Sequence, residues 1–388
     1  MKFSLSTSFS RLTVYVLGAV IFLTIGGRLV SVSDAATSCV GWPLCVPQGA
    51  LGWAQLLHRG SVGLTSVLMI ALLASAWRTQ RDHRVLLPLS TVTAILFFAQ
   101  SFVGAMEVTR DFPVYLTVMH ALTAVVLWAA LIALVAAAGF LAGDVVAFPP
   151  LDYRQRARDF LTLTKPVVVA LLLVTTYAGL VVGGKAWPSF SLTFWVMVGG
   201  YLAAGGSSAL NQYIDRDLDK NMQRTAQRPL AASRMTPAEG LAFGLALSIA
   251  SFYILAGFVN LLAALLSLAG IFYYVVLYSV FLKKMTVQNI VIGGGAGAIP
   301  PMVGWAAATG SLNLSAWFLF AIVFMWTPPH FWALAIVRQK DYANAGVPMM
   351  PVVRGEKATR WQILIYTMEL VALTLLMPIL NLAGSVYP

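Results

Sequence analysis

Three side chains with metal-binding chemistry recur at helical spacing in the stretch "NQYIDRDLDKNMQRTAQRP", residues 211–229. Asn211, Asp215 and Asp219 follow one another at intervals of four, which places them on one face of a helix. Carboxylates that converge from one face suit Mg²⁺, a hard ion that binds one or two carboxylates together with phosphate oxygens of a substrate. Arg224 and Arg228, also four apart, could grip a diphosphate with planar donor forks.

These charges lie in a very apolar chain. Of its 388 residues, 59% are hydrophobic and only 10% are charged, and the mean hydropathy is +0.82. A soluble domain carries roughly 25% charged residues. Composition therefore indicates an integral protein of the lipid bilayer, and the alternative interpretation of 211–229 is a solvated loop at the membrane surface. The regular acidic spacing, followed by paired arginines, favours the site.

Eleven apolar runs reach or approach the roughly 20 residues that cross a bilayer as a helix. They are 12–31, 60–77, 87–106, 117–139, 166–184, 192–212, 239–257, 260–281, 287–308, 314–336 and 362–380. A polar linker, 152–166, follows "FPP" at 148–150 and separates four spans from seven. We therefore expect one domain over 1–150 and a second over 151–388.

Lysine and arginine predict the orientation of these spans. With the N-terminus inside, only four of the 25 basic residues face outward: Arg28, Arg59, Arg110 and Lys185. The net charge of +11 is then mostly a signal of topology and does not require a nucleic-acid partner. The N-terminus and the 211–229 stretch are both expected on the cytoplasmic side of a bacterial plasma membrane.

Further polar groups at the inner side are compatible with the same pocket. Lys283 and Lys284 end one span, His330 lies in the inner half of another, and Lys340 and Asp341 follow it. An ionisable group inside a membrane is a functional candidate, although a single histidine can also be a satisfied interior residue. The glycine-rich run "QNIVIGGGAGAIPPMVGW" would allow close helix approach or the passage of a bulky ligand.

Four ordered motifs, "NQYIDRDLDKNMQRTAQRPLA", "QNIVIGGGAGAIPPMVGW", "PHFWALAI" and "DYANAGVPMMPVV", resemble those of the heme O synthases, or protoheme IX farnesyltransferases, a branch of the UbiA-type intramembrane prenyltransferases. The resemblance covers about 158–388. It implies that Asp215 and Asp219 bind Mg²⁺ with farnesyl diphosphate. The residues that it places beside them are Asn211, Arg224, Arg228, Lys284, His330, Lys340 and Asp341. Asn344 stands where related enzymes often carry a second paired aspartate, which agrees with the heme-modifying branch.

The resemblance also implies a reaction and an architecture. A vinyl group of heme B attacks the farnesyl cation that forms when diphosphate leaves, and water then gives the hydroxyethylfarnesyl group of heme O. The fold would be an all-α membrane bundle with seven of the nine spans that the family usually has. Other aromatic acceptors, such as a quinone precursor, remain an alternative, and a homo-oligomer or a heme A synthase is a possible partner.

The first four spans carry a second set of candidate residues. Cys39 and Cys45 lie in the predicted outer loop, where a disulfide is plausible. His58 and His120 lie at similar depth near the outer surface and could ligate one heme iron from two helices. The alternative is that each is an interfacial polar residue. His83, in the inner charged loop, is interpreted only as a surface residue.

The segments "GGRLV", "SCVGWPLC", "LLHRG", "AQSFVGAMEV" and "VMHALTAVVLWAAL" resemble, in this order, one four-helix half of the heme A synthases. The match covers about 12–135 and implies a heme-binding four-helix domain. Gln55 departs from the family, which typically has glutamate three residues before the histidine. The resemblance therefore leaves open a heme-carrying or electron-transfer role for this half, as well as a part in converting heme O to heme A.

Overall fold

The structure, a computed structural model, describes residues 3–33, 35, 38–39, 41–141 and 152–380. Every element of secondary structure assigned in these ranges is a helix, which confirms the predicted all-α class. Four long helices come first: α1 (Ser8–Val32), α2 (Gly49–Thr79), α3 (Leu86–Thr109) and α4 (Val114–Leu141).

Twelve further helices follow, and several begin at side-chain caps. They are α5 (Tyr153–Leu163), α6 (Pro166–Gly184), α7 (Phe190–Asp219), α8 (Pro237–Phe258), α9 (Leu261–Phe272), a π-helix (Tyr273–Leu282), α10 (Lys283–Met285), α11 (Asn289–Gly293), α12 (Gly295–Thr309), α13 (Leu314–Val337), α14 (Gln339–Asn344) and α15 (Met350–Ile379). Asp152, Ser189 and Asn260 accept hydrogen bonds from backbone N–H groups of the first turns of α5, α7 and α9. Such caps satisfy donors that have no partner inside the helix.

Ten helical stretches in the described part of the chain are long and apolar enough to cross a membrane. The predicted count of eleven is therefore one too high by length and composition alone. The missing span, 192–212, lies within α7, a helix of 30 residues. It is not one of the ten because glycine, serine and amide side chains toward its C-terminal end lower its mean hydropathy. Those polar positions contribute to the candidate site.

The internal contacts group the chain into two compact units. The first comprises Met1–Leu151 with Thr236–Ile249, and the second comprises Asp152–Met235 with Ala250–Pro388. The sequence-based boundary near residue 150 falls outside the described residues. The division into a domain over 1–150 and a domain over 151–388 stays a prediction, and the first part of α8 is grouped with the earlier helices.

Helices α1 to α4 form a closed ring of neighbours. Each helix packs on the next one, and α4 packs back on α1. In such a ring α2 and α4 are diagonally opposed, so side chains from both can meet in the middle. Met69 of α2, Phe97 of α3 and Leu131 of α4 are almost fully buried.

The first turn of α8 binds the loop between α2 and α3. Thr236 and Glu239 form a capping box, because the Thr236 hydroxyl accepts from the Glu239 N–H (3.1 Å) and the Glu239 carboxylate accepts from the Thr236 N–H (2.8 Å). The same carboxylate pairs with the Arg81 guanidinium at 2.9 Å. Thr236 also donates to the Arg81 carbonyl at 2.7 Å. Glu239 is 1% exposed, so its charge is compensated within the protein and not by water.

In the second unit, glycines allow α6 and α12 to approach at backbone distance. A Cβ at Gly304 would lie 1.9 Å from the Thr176 carbonyl oxygen, and one at Gly179 would lie 2.1 Å from the Pro301 carbonyl oxygen. No side chain fits either position. The glycine-rich run that contains Gly304 therefore contributes to helix packing here, the first of its two interpretations.

An apolar cluster supports the C-terminal end of α7. Leu218 and Met222 pack with Ile290 of α11, Trp332 of α13 and Met350 of α15. The "DYANAGVPMMPVV" segment supplies Val347 and Met349 to the same cluster. Four motifs that are far apart in the sequence thus meet behind the acidic face of α7.

We expect Glu239→Ala to lower the free energy of unfolding by about 3–5 kcal/mol, because it leaves the buried Arg81 guanidinium without this carboxylate and also removes a helix cap. The measurement is thermal unfolding of the purified protein in detergent. Glu356→Ala, which breaks the exposed pair with Arg360, is the control and should change stability by less than about 1 kcal/mol. Equal effects in the two variants would contradict the assignment.

Candidate active site

The acidic face of α7 is buried, as a ligand site requires and a solvated loop does not. Asn211, Asp215 and Asp219 all lie in the last three turns of the helix and are 3%, 0% and 1% exposed. Asp217, on the same helix between the two aspartates, is exposed instead. The spacing in the sequence thus separates an inward face from an outward face, and the surface-loop alternative does not describe these three residues.

Basic side chains from three other segments converge on this face. Lys283 donates to Asp215 Oδ2 at 2.5 Å, and Arg228 donates to Asp219 Oδ2 at 2.7 Å. Lys165, the residue before α6, donates to Asn211 Oδ1 at 3.0 Å. Each carboxylate therefore has its own cation, and the positive charges surround the carboxylates.

The π-helix and the lysine that follows it position two groups that contact α7, Ser279 and Lys283. Ser279 accepts a hydrogen bond from Asn211 Nδ2 at 3.0 Å and donates to the Tyr274 carbonyl, five residues earlier. Asn211 Nδ2 also donates to Asp215 Oδ2 at 2.7 Å, so the amide bridges α7 and the π-helix. The backbone N–H of Lys283 also bonds five residues back. The wider turn sets the rotation at which Ser279 and Lys283 reach α7.

Lys165 is half-buried and has a strained backbone conformation. Its φ of 51° is in the left-handed region, which a residue with a Cβ rarely adopts, and it directly precedes Pro166. Burial lowers the pKa of Lys165 to about 7, and the nearby charges of Arg228 and Lys283 act in the same direction. An anion bound beside this amine would favour its charged form.

A cavity of about 310 Å³ adjoins this network. Lys165, Gln212 and Arg228 line it together with apolar side chains of α5 and α6. Gln212 is 1% exposed; its amide nitrogen donates to the Leu163 carbonyl, whereas its Oε1 has no hydrogen-bond partner among the described residues. The cavity thus combines two cations and a free acceptor with an apolar wall, which suits a ligand with an anionic head and a hydrocarbon part.

The donor set fits Mg²⁺ bound together with an anionic ligand. Asp215 Oδ1 is buried and has no hydrogen-bond partner in the described part of the chain. Within that part, no group of three or more His, Cys, Asp and Glu side chains could hold a metal alone. Mg²⁺ does not need such a group, because one or two carboxylates suffice when phosphates and waters complete its shell.

The remaining residues that the resemblance assigned to this pocket do not touch the two aspartates in the structure. Arg224, Lys284, His330 and Lys340 are exposed, and Asp341 is half-buried in α14. His330 stacks on Trp326 with ring centroids 4.4 Å apart. Their part in the site stays a prediction.

The sequence did not identify Lys165 and Ser279 as site residues. The resemblance assigned Lys284 to the site, whereas in the structure its neighbour Lys283 contacts Asp215. Lys165 stood in the sequence only as one more inner-side charge. Its position before Pro166, at the start of a span, was the available signal. Nothing in the sequence distinguished Ser279 from other span serines.

In the first unit, His58 of α2 and His120 of α4 lie on diagonally opposed helices. Each imidazole packs on a glycine, since a Cβ at Gly27 would lie 2.8 Å from His58 Cε1 and one at Gly104 would lie 2.9 Å from His120 Cε1. Both Nδ1 atoms are buried without a hydrogen-bond partner among the described residues.

A disulfide joins Cys39 and Cys45, whose Cα atoms are 5.6 Å apart. Arg59, the neighbour of His58, donates to the carbonyls of Gly41 (2.7 Å) and Cys39 (3.1 Å). The disulfide loop is thus bound to the helix that carries His58. His83 acts differently, because its Nδ1 accepts from the Val85 and Leu86 N–H groups and caps α3.

A carboxylate that the sequence reading did not consider lies beside His120. Glu107 of α3 is 8% exposed, and its Oε2 is 3.6 Å from His120 Nδ1. Gln55, the position where the resemblance leads one to expect glutamate, is 4% exposed on α2.

The chemistry of these buried aspartates and flanking cations suits a metal ion bound together with an anion, within a bundle of apolar helices. The profile of the UbiA prenyltransferase family matches residues 172–388. The chain belongs to the UbiA prenyltransferase family.

Relatives with assigned names agree. The chain is 41% identical, over 95% of its own length and 73% of the relative's, to a protoheme IX farnesyltransferase from Roseiflexus sp. strain RS-1. It is 52% identical, over 59% of its length and 75% of the relative's, to a protoheme IX farnesyltransferase from Gloeobacter violaceus. A UbiA homologue from Archaeoglobus fulgidus, solved with GPP and Mg²⁺, shares the fold with a TM-score of 0.50 at 17% identity, over 59% of this chain and 80% of that one.

We expect Lys283→Ala to weaken binding of inorganic pyrophosphate in the presence of Mg²⁺ by about tenfold or more, because a charge-assisted contact at the acidic face is lost. Lys284→Ala is the matched control, since Lys284 is adjacent but exposed. Binding is measured by isothermal titration calorimetry of the detergent-solubilised protein. A larger loss of pyrophosphate affinity in the Lys284 variant would show that Lys284, the residue that the resemblance assigned to the site, is the one that binds.

Proposed function

We propose that the protein transfers the farnesyl group of farnesyl diphosphate to a vinyl group of heme B, which gives heme O. The observation that carries the proposal is the buried pair Asp215 and Asp219, each joined to its own cation, at the C-terminal end of α7. Membership of the UbiA prenyltransferase family and the names of the relatives support the same reaction and acceptor.

In this proposal, Asp215 and Asp219 would hold Mg²⁺ together with the diphosphate. The ion would supply positive charge that makes the diphosphate a better leaving group. Lys165, Arg228 and Lys283 bind the remaining phosphate oxygens, and Lys283 and Arg228 exchange part of their contact with the carboxylates for contact with the ligand. Asn211 and Ser279 keep the Asp215 side chain in place.

The bond changes follow from this charge arrangement. The allylic C–O bond breaks, and diphosphate leaves with the electron pair. The terminal vinyl carbon of heme forms a C–C bond with the allylic cation, the positive charge moves to the carbon beside the porphyrin, and water adds there with loss of a proton. Apolar walls such as those of the cavity beside Lys165 keep water from the first cation.

The protein is integral to the membrane, as its ten apolar stretches indicate. We place it in the bacterial plasma membrane with the N-terminus and the acidic end of α7 on the cytoplasmic side. The distribution of lysine and arginine supports this orientation. A cytoplasmic site is also where a soluble diphosphate substrate would enter.

We expect Asp215→Asn to reduce heme O formation at least about 100-fold, since the loss of one carboxylate removes several kcal/mol of charge stabilisation. Asp217→Asn, an exposed aspartate on the same helix, is the control and should keep turnover within about twofold. Products are identified by mass after incubation with farnesyl diphosphate, Mg²⁺ and heme B. Parallel reactions with 4-hydroxybenzoate test the quinone-type acceptor, and turnover of that acceptor alone would refute the heme assignment.

We further propose that the first unit binds a heme between His58 and His120. The specific observation is that these two imidazoles lie on diagonally opposed helices of a four-helix ring, each packed on a glycine, with unpartnered Nδ1 atoms. Bis-histidine ligation from facing helices is a common way for helical bundles to hold heme iron. Bound in this way, the heme would supply one-electron chemistry or be held as a substrate.

We expect the double variant His58→Ala with His120→Ala to lose the low-spin heme spectrum and to keep Mg²⁺-dependent farnesylation largely intact. No residue of the acidic network on α7 belongs to α1–α4. His83→Ala is the control, because His83 caps a helix and should leave the spectrum unchanged. Loss of farnesylation in a stably inserted double variant would show that the two activities depend on one another.

A further inference from the structure

Glu107 is a buried carboxylate that the proposed prenyl transfer does not use. It lies three residues from the end of α3, at the same end of the ring as His58 and His120, with 11% of its side chain exposed. An ionisable side chain in a membrane span is costly to bury and usually has a functional partner. The His120 imidazole lies beside it.

The face of α3 opposite His120 is shaped around that ring. Gly104, one turn before Glu107, leaves room for the imidazole, since a Cβ there would lie 2.9 Å from His120 Cε1. Glu107 Oε2 lies 3.6 Å from His120 Nδ1, a few tenths of an ångström beyond a hydrogen bond. That Nδ1 has no other partner among the described residues.

We propose that Glu107 is a positioning residue for heme ligation by His120: it accepts a hydrogen bond from Nδ1–H and so presents Nε2 to the iron. The inference rests on the proposed heme binding in the first unit. A ligating histidine commonly donates its other ring N–H to a carboxylate or carbonyl, which fixes the tautomer and strengthens the ligand. Glu107 is the carboxylate that the structure places at this ring, on a different helix from Gln55.

The carboxylate has two separable effects. The hydrogen bond holds the ring in place, which slows the loss of heme. The negative charge stabilises the ferric state and lowers the midpoint potential of the heme. An amide of the same size preserves part of the first effect and removes the second. An alanine removes both.

The experiment compares Glu107→Gln, Glu107→Ala and Asp111→Asn in the full chain. Asp111 is an exposed carboxylate just beyond the same helix, and its φ of 55° is one that asparagine also tolerates. Heme loss is followed as transfer from purified protein to excess apomyoglobin, and the midpoint potential is followed by spectroscopic redox titration. We expect loss to be on the order of tenfold faster in Glu107→Ala and less accelerated in Glu107→Gln. The potential should rise in both, and Asp111→Asn should match the wild type.

Three results would overturn the proposal, and they are distinguishable. If wild-type protein lacks a low-spin spectrum that depends on His58 and His120, the heme-binding proposal fails and this inference fails with it. If that spectrum is present but both Glu107 variants keep the wild-type loss rate and potential, Glu107 alone is refuted. If Glu107→Gln loses heme as fast as Glu107→Ala with no change in potential, the residue has only a packing role. A thermal unfolding temperature close to that of the wild type verifies that each variant is folded.

Discussion

A carboxylate with no exposure to water must be compensated by the protein, and this requirement organises the second unit. Asp215 is 0% exposed, and three segments supply the groups around it and its neighbours: the residue before α6, the π-helix with its adjoining lysine, and the turns after α7. Taking one such charge from water costs several kcal/mol unless charge and hydrogen bonds compensate it. The segments are therefore held together by electrostatics as well as by the apolar cluster behind them.

The compensation is incomplete in a way that suits a binding site. Asp215 Oδ1 and Gln212 Oε1 remain without partners in the described residues, and Lys165 is strained, half-buried and only weakly basic. A structural ion-pair network would satisfy these groups. A site for a divalent cation and a polyanion has oxygen atoms and amines that are free to bind them, because the ligand itself completes the charge balance.

The first unit also places polar and ionisable side chains among apolar helices, but it contains fewer charges there. Its ring of four helices holds two half-buried imidazoles and one buried carboxylate at one end, and Gly27 and Gly104 leave room for the rings. The disulfide loop is bound by Arg59 at the same end, and the Arg81–Glu239 pair binds the loop at the other end of α2 to the first turn of α8. Both ends of α2 are thus anchored, which fixes the register of His58.

The sequence by itself determined the helical class, the positions of ten of the eleven predicted spans and the acidic face of α7. These features depend on periodicity within one helix. Asn211, Asp215 and Asp219 share one face of α7 however that helix packs against its neighbours. Tertiary structure alone decided that Lys283 and not Lys284 contacts Asp215, that Lys165 and Ser279 join the network, and that Glu107 lies beside His120. It also left Arg224 and His330 exposed. The physical reason is that contacts between helices depend on their relative rotation and depth, which a π-helical turn or a residue with positive φ changes without any periodic trace in the sequence.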